Sequence, residues 1–207
     1  MNKRFFFKTT AALTLAALQA QAEEGGDPVL LAMPADHVIA NLPAFHNAIE
    51  QAFAIASGGA MVTFGIVADK PETGYGYIQC GESVKEGGAH HIASFAEKPD
   101  AATAQSYLDG GQHLWNSGLF MVRASVWLKA LGAFRPDILQ ACRLSVDNAQ
   151  RDLDFVRPHV PAFEACPSDS IDYAVMERTD AAAVLALDVG WNDVGSWAAL
   201  WQVADQD

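Results

Sequence analysis

The sequence predicts an α/β fold in which crossover helices flank a mixed, mainly parallel sheet. Two observations carry that expectation. Short continuous apolar runs alternate with segments whose apolar residues recur at helical spacing, and one complete β-α-β unit is legible between residues 29 and 67. In that unit, Val29 to Met33 is a short apolar run of the kind a buried strand requires. Phe45, Ala48, Ile49, Ala52, Phe53 and Ala56 then mark one face of a helix that Gly58-Gly59 stops, and Met61 to Val67 is the next strand. Tyr75 to Cys80 and His91 to Ala96 read as strands separated by a Gly-rich turn at Gly87-Gly88. Asp100 to Asp109 reads as a helix capped by Asp100 and ended by Gly110-Gly111, and Leu119 to Val122 as a further strand. From Arg135 to Ser168 prolines and charges leave no clear period, so short helices and loops are expected, with Asp147 to Asp152 on a solvated surface. Ile171 to Met176 should start a short helix, and Ala183 to Leu187 should be the strand that feeds the loop at Trp191.

A chain of 207 residues, 51% of them apolar, can bury one sizeable core, which suits a single domain over residues 1–207. The formal charge of −12 argues against nucleic acid or an anionic membrane as the main partner, because either favours a basic face. Phosphorylated ligands stay open, since a bound metal and a few lysines can invert the local field. Cys80, Cys142 and Cys166 are odd in number and lack metal-ligand spacing, so reduced structural thiols are expected. No apolar run is long enough for a spanning helix.

The segment Gly190-Trp191-Asn192-Asp193-Val194-Gly195-Ser196-Trp197 sets one carboxylate between glycines and indoles. Glycine lets backbone approach a ligand, the indoles wall off water, and hard divalent cations take carboxylate oxygens. Met33-Pro34-Ala35-Asp36-His37 offers a second carboxylate after an apolar run, although Asp36 taken alone reads more readily as a turn or helix cap. His37 reads as packing or hydrogen-bonding at that loop. Glu97-Lys98-Pro99 holds two charged side chains at a stiffened strand exit, and a surface ion pair is the plainer alternative. Trp115-Asn116-Ser117-Gly118 offers an amide and an indole face to a sugar ring, or else a buried Trp beside a turn. Gly74-Tyr75-Gly76-Tyr77 suits either main-chain contact with a ligand or a plain β-turn.

Taken in order, Pro34-Ala35-Asp36-His37, Val62 to Ile66, Pro71 to Ile78, Glu97 to Asp100, Leu114 to Gly118, Ser170 to Glu177 and the Trp191 loop resemble the sugar-nucleotide pyrophosphorylases, most closely the mannose-1-phosphate guanylyltransferases. The resemblance implies a Rossmann-like nucleotide-diphospho-sugar transferase, a three-layer sandwich, here missing its first β-α elements. The family's Gly-x-Gly-Thr-Arg loop has no counterpart in this sequence. By resemblance, Asp36 and Asp193 ligate Mg²⁺ or Mn²⁺, Lys98 approaches the sugar phosphate and Glu97 reads sugar hydroxyls. Gly76 contributes main-chain contacts and Asn116 its amide. Asp172 and Arg178 contact substrate, Arg178 standing where the family usually has Lys. The implied ligands are mannose 1-phosphate, GTP and GDP-mannose, with a homo-oligomer or a complementing N-terminal segment as partner. Met1 to Ala22 imitates a secretory signal, but Ala12 to Leu18 matches an internal helix of the family, so a cytoplasmic location is expected. Two rival readings remain. One is a non-catalytic sugar-phosphate-binding remnant. The other is a metal-dependent glycosyltransferase, whose usual Asp-x-Asp has only Asp152-Leu153-Asp154 as a match, in a poorly patterned region.

Overall fold

The computed structural model describes residues 8–24, 26–84 and 88–204. The signal-like residues Met1 to Phe7 and Gly87 of the expected Gly-rich turn lie outside them. In chain order the elements begin with α1 (Thr9–Glu24), β1 (Val29–Ala32), β2 (Val38–Ile39), α2 (Leu42–Ser57), β3 (Met61–Val67), β4 (Gly76–Ser83) and β5 (His90–Glu97). There follow α3 (Ala101–Gly110), β6 (His113–Arg123), α4 (Ala124–Phe134), α5 (Pro136–Asp147), β7 (Gln150–Asp152), β8 (Phe155–Arg157) and α6 (Val160–Ala165). A π-helical turn (Asp172–Met176), β9 (Ala182–Leu187), β10 (Trp191–Asn192) and α7 (Trp197–Val203) complete the order. Among the described residues no helix is long and apolar enough to cross a membrane.

The chain divides into two compact units, each made of two chain segments. One comprises residues up to Leu30 together with Val122–Asp180 and is mainly helical. Its core holds Ala11, Leu13, Ala17, Trp127, Leu131, Ile138 and Cys142, gathered where α1 packs on α4 and α5. Trp127 donates its indole N–H to Thr14 Oγ1 at 3.0 Å, and Thr14 in turn donates to the carbonyl of Thr10 at 2.7 Å, so the buried indole N–H and the Thr14 hydroxyl are both paired. Asp27 accepts from both the backbone N–H and the hydroxyl of Ser125, which satisfies an amide at the start of α4. The region expected to be loops and short helices contains α5, a helix of 12 residues. Its Pro136 sits in the first turn, where a missing N–H costs nothing, so that proline starts a helix instead of breaking one.

The other unit comprises Leu31–Met121 and Ala181–Asp207 and contains most of the sheet. The strand order is β1-β6-β3-β9-β5-β4, with β4 also paired to β6, so the ladders β4-β5-β9-β3-β6 return on themselves. The α/β class and the mixed sheet expected from the sequence are present. Strands β3 and β9 run parallel over six residue pairs, whereas β3–β6, β4–β5, β4–β6 and β5–β9 are antiparallel, so the parallel character of these five pairings lies in β3 and β9. Strand β3 has neighbours on both sides, which is why its sequence is mostly apolar, with Thr63 the one polar side chain and all but Val67 buried. On α2, Phe45, Ala48, Ala52, Ile55 and Ala56 are buried, and Asn41 caps the helix by accepting the N–H of Ala44 at 3.1 Å. Helix α3 has the expected Asp100 cap, to Thr103 N at 2.8 Å, and ends at Gly111 with φ 64°.

Strand β6 departs from the sequence reading. It runs over 11 residues, longer than the expected Leu119 to Val122, and contains Trp115-Asn116-Ser117-Gly118, for which the sequence alone allows a turn as one of two readings. The register with β3 jumps from Thr63↔Phe120 to Gly65↔Asn116, so β6 carries a bulge at Ser117 to Leu119, with Gly118 at φ 71°. Side chains staple this bulge. Ser117 Oγ donates to the carbonyl of Phe64 at 2.5 Å, and Thr63 Oγ1 donates to that of Leu119 at 3.0 Å. A bulge re-aims the side chain beside it, and the residue re-aimed here is Asn116.

Candidate active site

Strands β2 and β10 pair antiparallel in a separate two-stranded ladder, with Trp191 opposite Ile39 and Asn192 opposite Val38. This register brings the Asp36 loop and the Asp193 loop together, which their 157-residue separation in the sequence does not disclose. Gly190 permits the approach. It sits at φ 62°, and a Cβ there would lie 2.9 Å from the Cβ of Ala40. His37 accepts the indole N–H of Trp191 at Nδ1, 3.1 Å away, so the neutral ring carries its proton on Nε2. Burial lowers the pKa of His37 below 6.5, while the charges of Asp36 and Asp193 act in the opposite direction. His37 therefore belongs to the hydrogen-bonded frame of the loop, as its sequence position suggested.

Asp193 is held by its own loop and by a distant tyrosine. Its Oδ1 accepts the N–H of Gly195 at 3.1 Å and the hydroxyl of Tyr75 at 2.9 Å. Asn192 Oδ1 accepts the N–H of Val194, a β-branched residue held at φ 50°, so the backbone between the aspartate and Gly195 is strained. The ring of Tyr75 meets Trp115 and Trp191 edge-on at 5.2 and 5.5 Å. Burial, and then the bond to Asp193, raise the pKa of the Tyr75 phenol far above 10, so it stays a donor. Trp191 is thus packed into this corner, whereas Trp197 is 87% exposed on α7 and does not wall off water as expected. An open cleft of about 380 Å³ lies over Asp193, lined also by Lys70, Glu72, Tyr75 and Ser196.

The Glu97 strand exit adjoins the same tyrosine. Lys98 stands at φ 45°, a conformation disfavoured for residues with a side chain, and its N–H donates to the carbonyl of Tyr75 at 3.3 Å. Its ammonium lies 2.8 Å from Glu97 Oε1 with both side chains exposed. Gly76 is opposite Glu97 in the β4–β5 register, and a Cβ at Gly76 would lie 2.8 Å from Glu97 Oε2 and 3.5 Å from the Cβ of Asn116. Gly76, Glu97 and Asn116 are therefore neighbours, and only glycine leaves that carboxylate where it is. Asp36 is exposed and caps no helix among the described residues, since Asn41 serves α2.

The nucleotidyl transferase family profile matches residues 3–207. The chain belongs to the nucleotidyl transferase family. It is 49% identical to the mannose-1-phosphate guanylyltransferase of Klebsiella pneumoniae over 201 residues, which is 96% of this chain but 42% of that protein. It spans well under half the length of the curated relatives that it matches. A solved structure described as mannose-1-phosphate geranyltransferase from Thermus thermophilus superposes with a TM-score of 0.81 at 29% identity, covering 100% of this chain and 58% of that one. The mannose-6-phosphate isomerase of Helicobacter pylori superposes at 0.77 and 30% identity, over 88% and 70% of the two chains. The Rossmann-like α/β fold is therefore that of the nucleotidyl transferases.

Six of the eight site residues read from the sequence of this nucleotidyl transferase lie in one compact unit: Asp36, Gly76, Glu97, Lys98, Asn116 and Asp193. Asp172 and Arg178 belong to the other unit, on and just after the π-helical turn. The guanidinium of Arg178 is exposed. The sequence reading missed the Tyr75 hydroxyl, Lys70 and Ser196 as neighbours of Asp193. The one signal for Tyr75 was an aromatic residue set between two glycines.

Proposed function

We propose that this chain carries the metal and sugar-phosphate part of a mannose-1-phosphate guanylyltransferase, acting as one partial nucleotidyltransferase domain on mannose 1-phosphate and GTP to give GDP-mannose and pyrophosphate. The observation that carries this reading is the β2–β10 register. It joins the two aspartate loops in a chain that is about half identical to enzymes of that name. A divalent ion, Mg²⁺ or Mn²⁺, fits the donors present. Asp193 Oδ2 and the Asp36 carboxylate accept no hydrogen bond among the described residues. No group of three or more His, Cys, Asp or Glu side chains there could hold an ion unaided, which suits a cation that takes the rest of its shell from water and substrate phosphates. When bound, the ion would neutralise charge on the phosphate oxygens during in-line displacement.

The chain's own groups then have distinct tasks. Asp36 and Asp193 supply anionic oxygens. Lys98 gives a compact positive charge to the sugar phosphate, and its strained backbone fixes where the side chain leaves the strand. Glu97 accepts from sugar hydroxyls, and the glycine at position 76 lets the backbone approach the same sugar. Asn116, turned by the bulge in β6, supplies an amide beside them. Asp172 and Arg178 are further substrate contacts in this reading, and the setting is cytoplasmic.

Lys98→Ala tests the phosphate assignment. Its loss is expected to weaken mannose 1-phosphate binding roughly tenfold or more, the worth of a charge-assisted hydrogen bond, and to leave unphosphorylated mannose unaffected. Calorimetry with both ligands decides this. An equal loss for both points to a fold defect and overturns the phosphate assignment, and no loss for either returns Lys98 to a surface ion pair with Glu97.

A further inference from the structure

Asp193 does not present its two oxygens equally. A carboxylate oxygen has about two acceptor positions. Those of Oδ1 are taken by the Tyr75 hydroxyl at 2.9 Å and the Gly195 N–H at 3.1 Å, while Oδ2 accepts nothing among the described residues. Gly195 also keeps Oδ2 open, because a Cβ at that position would lie 2.8 Å from it. The Tyr75 hydroxyl cannot drift, since its ring is wedged edge-on between Trp115 and Trp191 and its carbonyl is tied to Lys98 N.

The geometry points to Tyr75 as a positioning residue that saturates Asp193 Oδ1, restricts the carboxylate to one-oxygen ligation through Oδ2, and so selects Mg²⁺ over Ca²⁺. The physical basis is coordination chemistry. Mg²⁺ takes single oxygens in a tight octahedron, whereas Ca²⁺ accepts six to eight oxygens and gains from two-oxygen carboxylates. A carboxylate with one oxygen already occupied can serve the first ion fully and the second only in part. This inference rests on the metal reading of Asp193 and adds to it a cause of ion choice.

The test is titration of wild type, Tyr75→Phe and Asp193→Asn with Mg²⁺ and with Ca²⁺, each in the presence of mannose 1-phosphate, by calorimetry. Phenylalanine keeps the ring contacts and removes only the donor. The preference for Mg²⁺ over Ca²⁺ is expected to fall about fivefold in Tyr75→Phe, the scale of one ordinary hydrogen bond. A purely structural role would lower both affinities by one factor, so an equal change, or no change, overturns the assignment of Tyr75. If Asp193→Asn still loses affinity, the proposed function stands without it. If Asp193→Asn binds both ions like wild type, or wild type binds neither, the metal reading falls and Tyr75 with it.

Discussion

Asp193→Asn is expected to weaken Mn²⁺ binding about a hundredfold, the upper end of what loss of an outer partner of a metal ligand costs, because in the proposed reading Asp193 is itself a ligand. The substitution keeps the shape of the side chain, and the amide oxygen can still accept from Tyr75 and Gly195. What disappears is the negative charge on the atom facing the cleft, the quantity that holds a hard cation. Titration followed by the electron paramagnetic resonance of free Mn²⁺ measures this directly. Retained affinity would assign Asp193 to the strained loop as a structural residue.

Trp127→Ala is expected to destabilise the helical unit by about 3–5 kcal/mol, a large part of the stability of an ordinary domain. Trp127 is 1% exposed, and its removal leaves a cavity between α4 and α1. It also deprives the buried Thr14 hydroxyl of the donor at 3.0 Å. Trp127→Phe separates the two effects, since it restores much of the volume without the N–H, and should cost clearly less. Urea unfolding of the three proteins gives the comparison. Equal stability of wild type and the alanine variant would place Trp127 outside the core.

The parts of the fold legible in the sequence were those fixed by local physics. Strand β3 declared itself by a mostly apolar run after a Gly-Gly stop, α3 by Asp100 and Gly110-Gly111 at its two ends, and the Asp193 loop by glycines and indoles around one acid. Elements whose signals conflict were not legible. The prolines and charges from Arg135 onward hid the period of α5, which Pro136 opens, and the glycine in Trp115 to Gly118 allowed a turn as one reading although it sits in a bulge inside β6. The candidate site divides in the same way. Asp193 could be named from its surroundings and Asp36 only through the family resemblance, but the Tyr75 bond to Asp193 joins residues 118 positions apart and depends on how β4 meets the Trp191 loop. Hydrogen bonds between side chains so far apart leave no periodic trace in a single sequence.

The central claim is that Asp36, Asp193, Lys98 and Glu97 together receive a sugar phosphate, the aspartates through a divalent ion. Calorimetric titration of the wild-type chain with mannose 1-phosphate, in Mg²⁺ and again in excess EDTA, with mannose as the paired control, tests it most directly. The expected result is binding of the phosphorylated sugar that is at least tenfold tighter with the ion, with mannose weak in both conditions; the scale is that of a lost charge-assisted contact, roughly 1.5–3 kcal/mol. Equal binding of mannose 1-phosphate with and without the ion, or equal binding of the two sugars, would contradict it.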